Sequence, residues 1–201
     1  MMLRMKKYKI LVSLLAIPTL SLGNTNYKFP ITKSYETYTV TGNSFIEIDN
    51  SFESSKPNWI FEKGFDAYTN VNYKYSIDDY DCSIDYYNVN IIYTLPQLSV
   101  SNTNLKNEYK SYLYELYRHE EIHCAITLEI LDKIYKLTLL GQQNEDKCQA
   151  IQQESLELEK LIDTANEKFD LETNHGEFPN RYSMGKTQYL KICKIEIKPI
   201  I

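Results

Sequence analysis

From Leu105 to Leu140 the chain holds neither glycine nor proline, and its apolar positions keep helical spacing: Tyr109, Leu113, Leu116, Ala125, Leu128, Leu131, Ile134 and Tyr135. A helix over that run is roughly 54 Å long, and Gly141 ends it. A second helix is expected from near Asn144, with Glu145 and Asp146 in its first turn and a stripe of Cys148, Ile151, Leu158, Leu161, Ile162, Ala165 and Phe169. The link from Gly141 to Gln143 is short enough to force an antiparallel helical hairpin.

The preceding half has a different period. SYETYTVTG (34–42) is rich in β-branched and aromatic residues and predicts a strand, SFIEIDNSF (44–52) fits a short strand or one to two helical turns, and 53–65, with Pro57 and Gly64, reads as a loop. Ala67, Thr69, Val71, Tyr73, Tyr75 and Ile77 alternate with mostly polar neighbours, and Tyr87, Val89, Ile91, Tyr93 and Leu95 share one face of a following run. An antiparallel hairpin ended by Pro96 results. The 18 tyrosines concentrate in this half and suit an amphipathic sheet surface. YLKICKIEI (189–197) suggests a last strand.

The N-terminus reads as an address rather than as structure. Arg4, Lys6, Lys7 and Lys9 precede a run from Ile10 to Leu22 that is apolar but for Ser13, Thr19 and Ser21, too short to span a bilayer comfortably, and Ser21 and Gly23 suit a signal peptidase. Residues 1–23 are expected to be a signal peptide and 24–33 a leader, followed by one domain over 34–201. A secreted or periplasmic protein without a stable membrane anchor after cleavage follows. In an oxidising compartment Cys82, Cys124, Cys148 and Cys193 can form disulfides, with three connectivities open. The net charge of −5 leaves no basic field for nucleic acid.

Of three histidines in the chain, two fall in RHEEIHCAI (118–126) on the long helix. Residues four apart lie about 40° apart around a helix and roughly 6 Å along it, so His119 and His123 project toward a common point as two metal ligands. Glu120 falls on the rim of that pocket, while Glu121 points away. A chance HExxH in a chain so poor in histidine is on the order of one in a few hundred. The chemistry such a motif performs is metal-assisted hydrolysis, with the glutamate as general base. Two solvated histidines on a charged helix face are the bland alternative.

A catalytic zinc needs a third protein ligand. The extended motif HExxHxxGxxH is absent, since Ile126 and Glu129 stand where Gly and His would be, and Glu129 cannot reach the metal from an unbroken helix. Glu145, Glu154 or Glu157 on the second helix are candidates. His175, the one remaining imidazole, is the better one, in a loop free to fold back over the first helix. Cys124 diverges from His123 by about 100°, which is poor for a Cys–His dyad, and is read as buried or bridged.

These residues, together with YTVTG, YDCSI, IIYTLP, DKCQAI and FDLETNHG in that order over residues 35 to 176, resemble a bacterial family described as secreted zinc-dependent proteases, domain of unknown function 922, zincin-like in its HExxH. The resemblance implies His119, His123 and His175 as zinc ligands and Glu120 as general base. Asp170 and Thr173 match the same segment, either as partners orienting an imidazole or as capping residues. It also implies a Cys82–Cys148 bridge. Cys124 and Cys193 are additional, a bridge between them being open, and residues from about 177 extend past the usual end.

The expected architecture is α+β: an antiparallel sheet packed against a helical hairpin whose first helix carries HExxH. The expected function is zinc-dependent hydrolysis of peptides or proteins outside the cytoplasm, a tyrosine or Arg181 assisting the oxyanion. The alternatives are a non-catalytic exported binding or envelope-structural module, its zinc a staple or absent, and a zinc hydrolase of non-peptide amides.

Overall fold

The computed structural model describes residues 29–143, 147–176 and 187–201, so the expected signal peptide, Glu145 and Arg181 lie outside the described residues. The fold is mixed α+β, a three-stranded sheet with helices packed on it. The elements are β1 (Ile31–Val40), α1 (Phe45–Ser55), α2 (Asn58–Phe61), β2 (Tyr68–Ile77), β3 (Ile84–Leu98), α3 (Thr103–Gly141), α4 (Cys148–Thr173) and α5 (Thr187–Cys193). None of the described helices is long and apolar enough to cross a membrane.

The strands are ordered β1-β3-β2. β2 and β3 form the expected antiparallel hairpin, from Tyr68 opposite Thr94 to Ile77 opposite Ile84. β1 departs from the all-antiparallel expectation: it pairs with β3 in parallel, Ile31 beside Val89 through Val40 beside Leu98. The physical reason is the crossover through α1 and α2, which returns the chain on the far side of a gap that β3 then fills. β1 also starts earlier than expected, taking Ile31 to Lys33 out of the supposed leader, and Phe29 before it is buried. Pro96 does not end β3, because β2 pairing stops at Thr94 and Pro96 itself is paired only with Tyr38 of β1.

Residues 44–52 resolve as helix for a local reason: Ser44 accepts from the Glu47 N–H at 3.3 Å, and Glu47 reaches back to the Asn43 N–H at 2.8 Å. The stretch after it is only partly loop, since α1 runs to Ser55 and α2 interrupts the rest. The largest correction is at the C-terminus. Tyr189, Ile192 and Cys193 are buried at helical spacing in α5 where a strand was expected, and among the described residues an isolated β-bridge, Leu98 to Ile200, joins the tail to the sheet.

The core lies between the sheet and α3. Tyr87, Val89, Ile91, Tyr93 and Leu95 present the expected single buried face to Ala125, Leu128, Leu131 and Ile134. The buried tyrosines keep their hydroxyls satisfied on backbone carbonyls: Tyr87 donates to Leu131 and Tyr93 to Cys193, each at 2.6 Å. Two disulfides, Cys82–Cys148 and Cys124–Cys193, close the structure. They fit an oxidising compartment outside the cytoplasm.

Candidate metal centre

His119 and His123 stand on the buried side of α3, four residues apart, and both Nε2 atoms turn toward α4. There they meet Asp170. Its Oδ1 lies 3.0 Å from His119 Nε2 and 2.8 Å from His123 Nε2, and the two nitrogens are 3.0 Å from one another. These three residues form a group able to hold a metal ion. Phe169 stacks on His119 with centroids 4.7 Å apart and meets the His123 ring edge-on at 5.1 Å, which restricts both imidazoles.

The donor set fits a divalent cation. Ligands 2.0–2.1 Å from a tetrahedral zinc stand roughly 3.3 Å from one another, close to the spacings seen. Electrostatics agree. Burial of His123 disfavours its charged form, but its hydrogen bond to Asp170 and the negative charges of Glu120 and Asp170 outweigh that and raise its pKa above the ordinary imidazole value. Burial likewise works against the Asp170 carboxylate, yet hydrogen bonds from His119 and His123 hold it far below the usual range. The point where the three meet therefore favours positive charge.

Glu120 is buried beside this centre, and its Oε2 accepts from the Thr69 hydroxyl of β2 at 2.6 Å. Glu121 points away as its helical angle requires, accepting from Arg118 and from the Ile195 N–H. His119, Glu120, His123 and Asp170 line a groove of about 1110 Å³, walled by β2 from Tyr68 to Val71 and by α4 from Ile162 to Asp170.

The third place is where geometry and sequence reading part. His175 is brought near, its Nδ1 3.8 Å from Asp170 Oδ1 and its ring 5.4 Å from that of Phe65, but its side chain is 52% exposed and it is not one of the three converging residues. Asp170, expected behind an imidazole or as a cap, takes the inner position. Of the α4 glutamates considered, Glu157 pairs with Lys160, and neither it nor Glu154 belongs to the group. Glu129 pairs with Lys133, as its unbroken helix demands. Thr173 bonds to the Phe169 carbonyl at 2.8 Å, a helix-end role.

Asn166 and Thr127 were not singled out from sequence, and Thr69 was read only as part of a strand face. A signal for the first existed: Asn166 and Asp170 repeat on α4 the four-residue spacing of His119 and His123 on α3, so two facing helices each offer a polar pair at one level. After Asp170 the chain passes through Asn174, His175 and Gly176, all at positive φ (46°, 52° and 90°). This turn lays Gly176 against His119, where an added Cβ would meet the ring at 3.3 Å.

No curated protein and no solved structure matches the chain. A family model does match, over residues 35–176, well over half of the 201; the span covers β2, β3, part of β1, both long helices and every residue of the centre. The chain thus belongs to the family described as bacterial protein of unknown function DUF922.

Proposed function

We propose that the protein is an exported metal-dependent hydrolase, a zinc metallopeptidase in type, with His119, His123 and Asp170 as ligands and Glu120 as general base. The observation that carries this is the convergence of two imidazole nitrogens and a carboxylate oxygen within 3.0 Å of each other, beside a buried glutamate, on the wall of a large groove. A structural zinc site is closed by four protein ligands, whereas a catalytic one keeps a position open. Three ligands at a groove favour the second. When bound, such a cation supplies Lewis acidity, acidifying water and polarising a carbonyl.

The chain's own residues do the rest. Glu120 accepts the proton of the attacking water and returns it to the leaving nitrogen. The Thr69 hydroxyl tethers one oxygen of that carboxylate to β2 and fixes its position. Phe169 packs on both imidazoles and excludes water behind them. β2 is an edge strand of the sheet, and Thr69, Asn70 and Val71 line the groove, so an extended chain can lie along it and use its backbone groups. That favours a peptide over a compact substrate.

Glu120→Gln keeps shape and removes the base. Zinc content and melting temperature are expected to hold, while cleavage of a broad peptide mixture falls by about 10²–10⁴-fold. Wild-type protein loaded with zinc that cleaves neither peptides nor cell-wall amides would refute the enzyme reading and favour a binding module.

A further inference from the structure

His123 has a second ring nitrogen, and what it meets decides what the first can do. Nδ1 lies 2.8 Å from Asn166 Oδ1. The orientation of that carboxamide is fixed by its other end. Asn166 Nδ2 is 2.9 Å from the Ile162 carbonyl oxygen, which can only accept, so the atom there must be the nitrogen. Its second N–H points to Thr127 Oγ1 at 3.1 Å, and Thr127 spends its own proton on the His123 carbonyl at 3.2 Å. Rotating the amide would set two oxygens against each other at Ile162.

Oδ1 therefore faces His123 and can only accept, so Nδ1 carries the hydrogen. A neutral imidazole has one N–H. In the charged ring Nε2 holds a hydrogen too and donates it to Asp170; once the ring is neutral and Nδ1 keeps its own, Nε2 is a bare lone pair aimed at the point shared with His119 Nε2 and Asp170 Oδ1. We propose that Asn166 is a positioning residue of the metal centre, holding His123 in the tautomer that presents Nε2 to a cation. Asn166 and Asp170, one turn apart on α4, grip the outer and inner nitrogens of one ring. Without this acceptor the ring is free to turn an N–H toward the cation's place, and affinity drops. The consequence for affinity rests on the metal reading above; in the metal-free neutral ring the proton is contested between Asn166 Oδ1 at Nδ1 and Asp170 Oδ1 at Nε2, each 2.8 Å away, and Asn166 is the partner proposed to keep it.

Long-range ¹H–¹⁵N correlation spectra of metal-free protein, above the imidazole titration range, report the protonated nitrogen directly. Chelator competition reports zinc affinity, and circular dichroism reports folding. Wild type is expected to show His123 protonated on Nδ1. Asn166→Leu is expected to lose that preference and bind zinc about 10–100-fold more weakly, while Asn166→Asp, which keeps an acceptor at Nδ1 although its second oxygen meets the Ile162 carbonyl, retains the tautomer and recovers part of the affinity. The proposal is overturned if wild-type His123 carries its proton on Nε2, or if Asn166→Leu folds and binds zinc as wild type does. A wild type with the Nδ1 tautomer but no zinc uptake upholds the role of Asn166 on the ring and sinks the metal reading instead.

Discussion

The two ends of the α3–α4 hairpin are closed by different forces. At the turn, Cys82 of the β2–β3 connection is bonded to Cys148, and Gly141 packs so closely on it that a Cβ there would stand 2.7 Å from the sulfur. At the opposite end, the described contacts between the helices are noncovalent: two imidazoles and a carboxylate converge, and Asn166 bridges to His123. The other disulfide, Cys124–Cys193, lies beside this end but ties α3 to α5 rather than to α4. One end is thus set once, by oxidation. The other is held by charge, and a bound cation is what would lock it.

The largest effect is expected at the covalent end. A Cys82→Ser, Cys148→Ser protein loses a bridge spanning 66 residues, and its stability should fall by about 2–5 kcal/mol in denaturant titration. Zinc affinity should change by less than about tenfold, below the usual range for losing a supporting contact, because the ligands are placed by α3 and by the far half of α4. A parallel collapse of affinity would show that the ends are not independent.

Next comes the polar end. Zinc at a hundred times its dissociation constant should add about 2.7 kcal/mol, a rise of roughly 5–10 °C in melting temperature for a domain of this size, reversed by chelation. Hydrogen exchange should place the change: chelation should speed exchange near His119, His123 and Asp170 and leave the segments around Gly141 and Cys148 as they were. Uniform acceleration along both helices would contradict the contrast between ends.

The same contrast explains how much was legible in the sequence. The helix bearing HEEIH, its partner, the β2–β3 hairpin and the buried face of β3 are periodic features, and periodicity survives folding because each is a local pattern meeting one partner surface. The parallel pairing of β1 was not visible, since strand direction depends on where a crossover returns the chain. α5 was missed because YLKICKIEI satisfies both periods, and its choice rests on Tyr189 reaching Asp132 at 2.7 Å and on Cys193 reaching Cys124. In the centre, the α3 pair was readable as i, i+4 spacing. Asp170 was underrated because a lone aspartate near a helix end looks like a cap, and only the packing of α4 across α3 brings it between two imidazoles.

The smallest effect is also the one that sharpens the site most. His175 sits in a left-handed turn, half exposed, leaning on Phe65, and 3.8 Å from the carboxylate oxygen that the other two imidazoles share. If Asp170 is the third ligand, removing it must cost more than removing the rim imidazole. Asp170→Ala should weaken zinc binding by more than about a hundredfold, beyond what losing a supporting contact costs, while His175→Ala should weaken it by less than about tenfold, both read by chelator competition with folding checked separately. Equal losses would mean that the Asn174–Gly176 turn closes over the cation and that four side chains share it. A larger loss for His175→Ala would restore that imidazole to the inner position and send Asp170 back to orienting a ring.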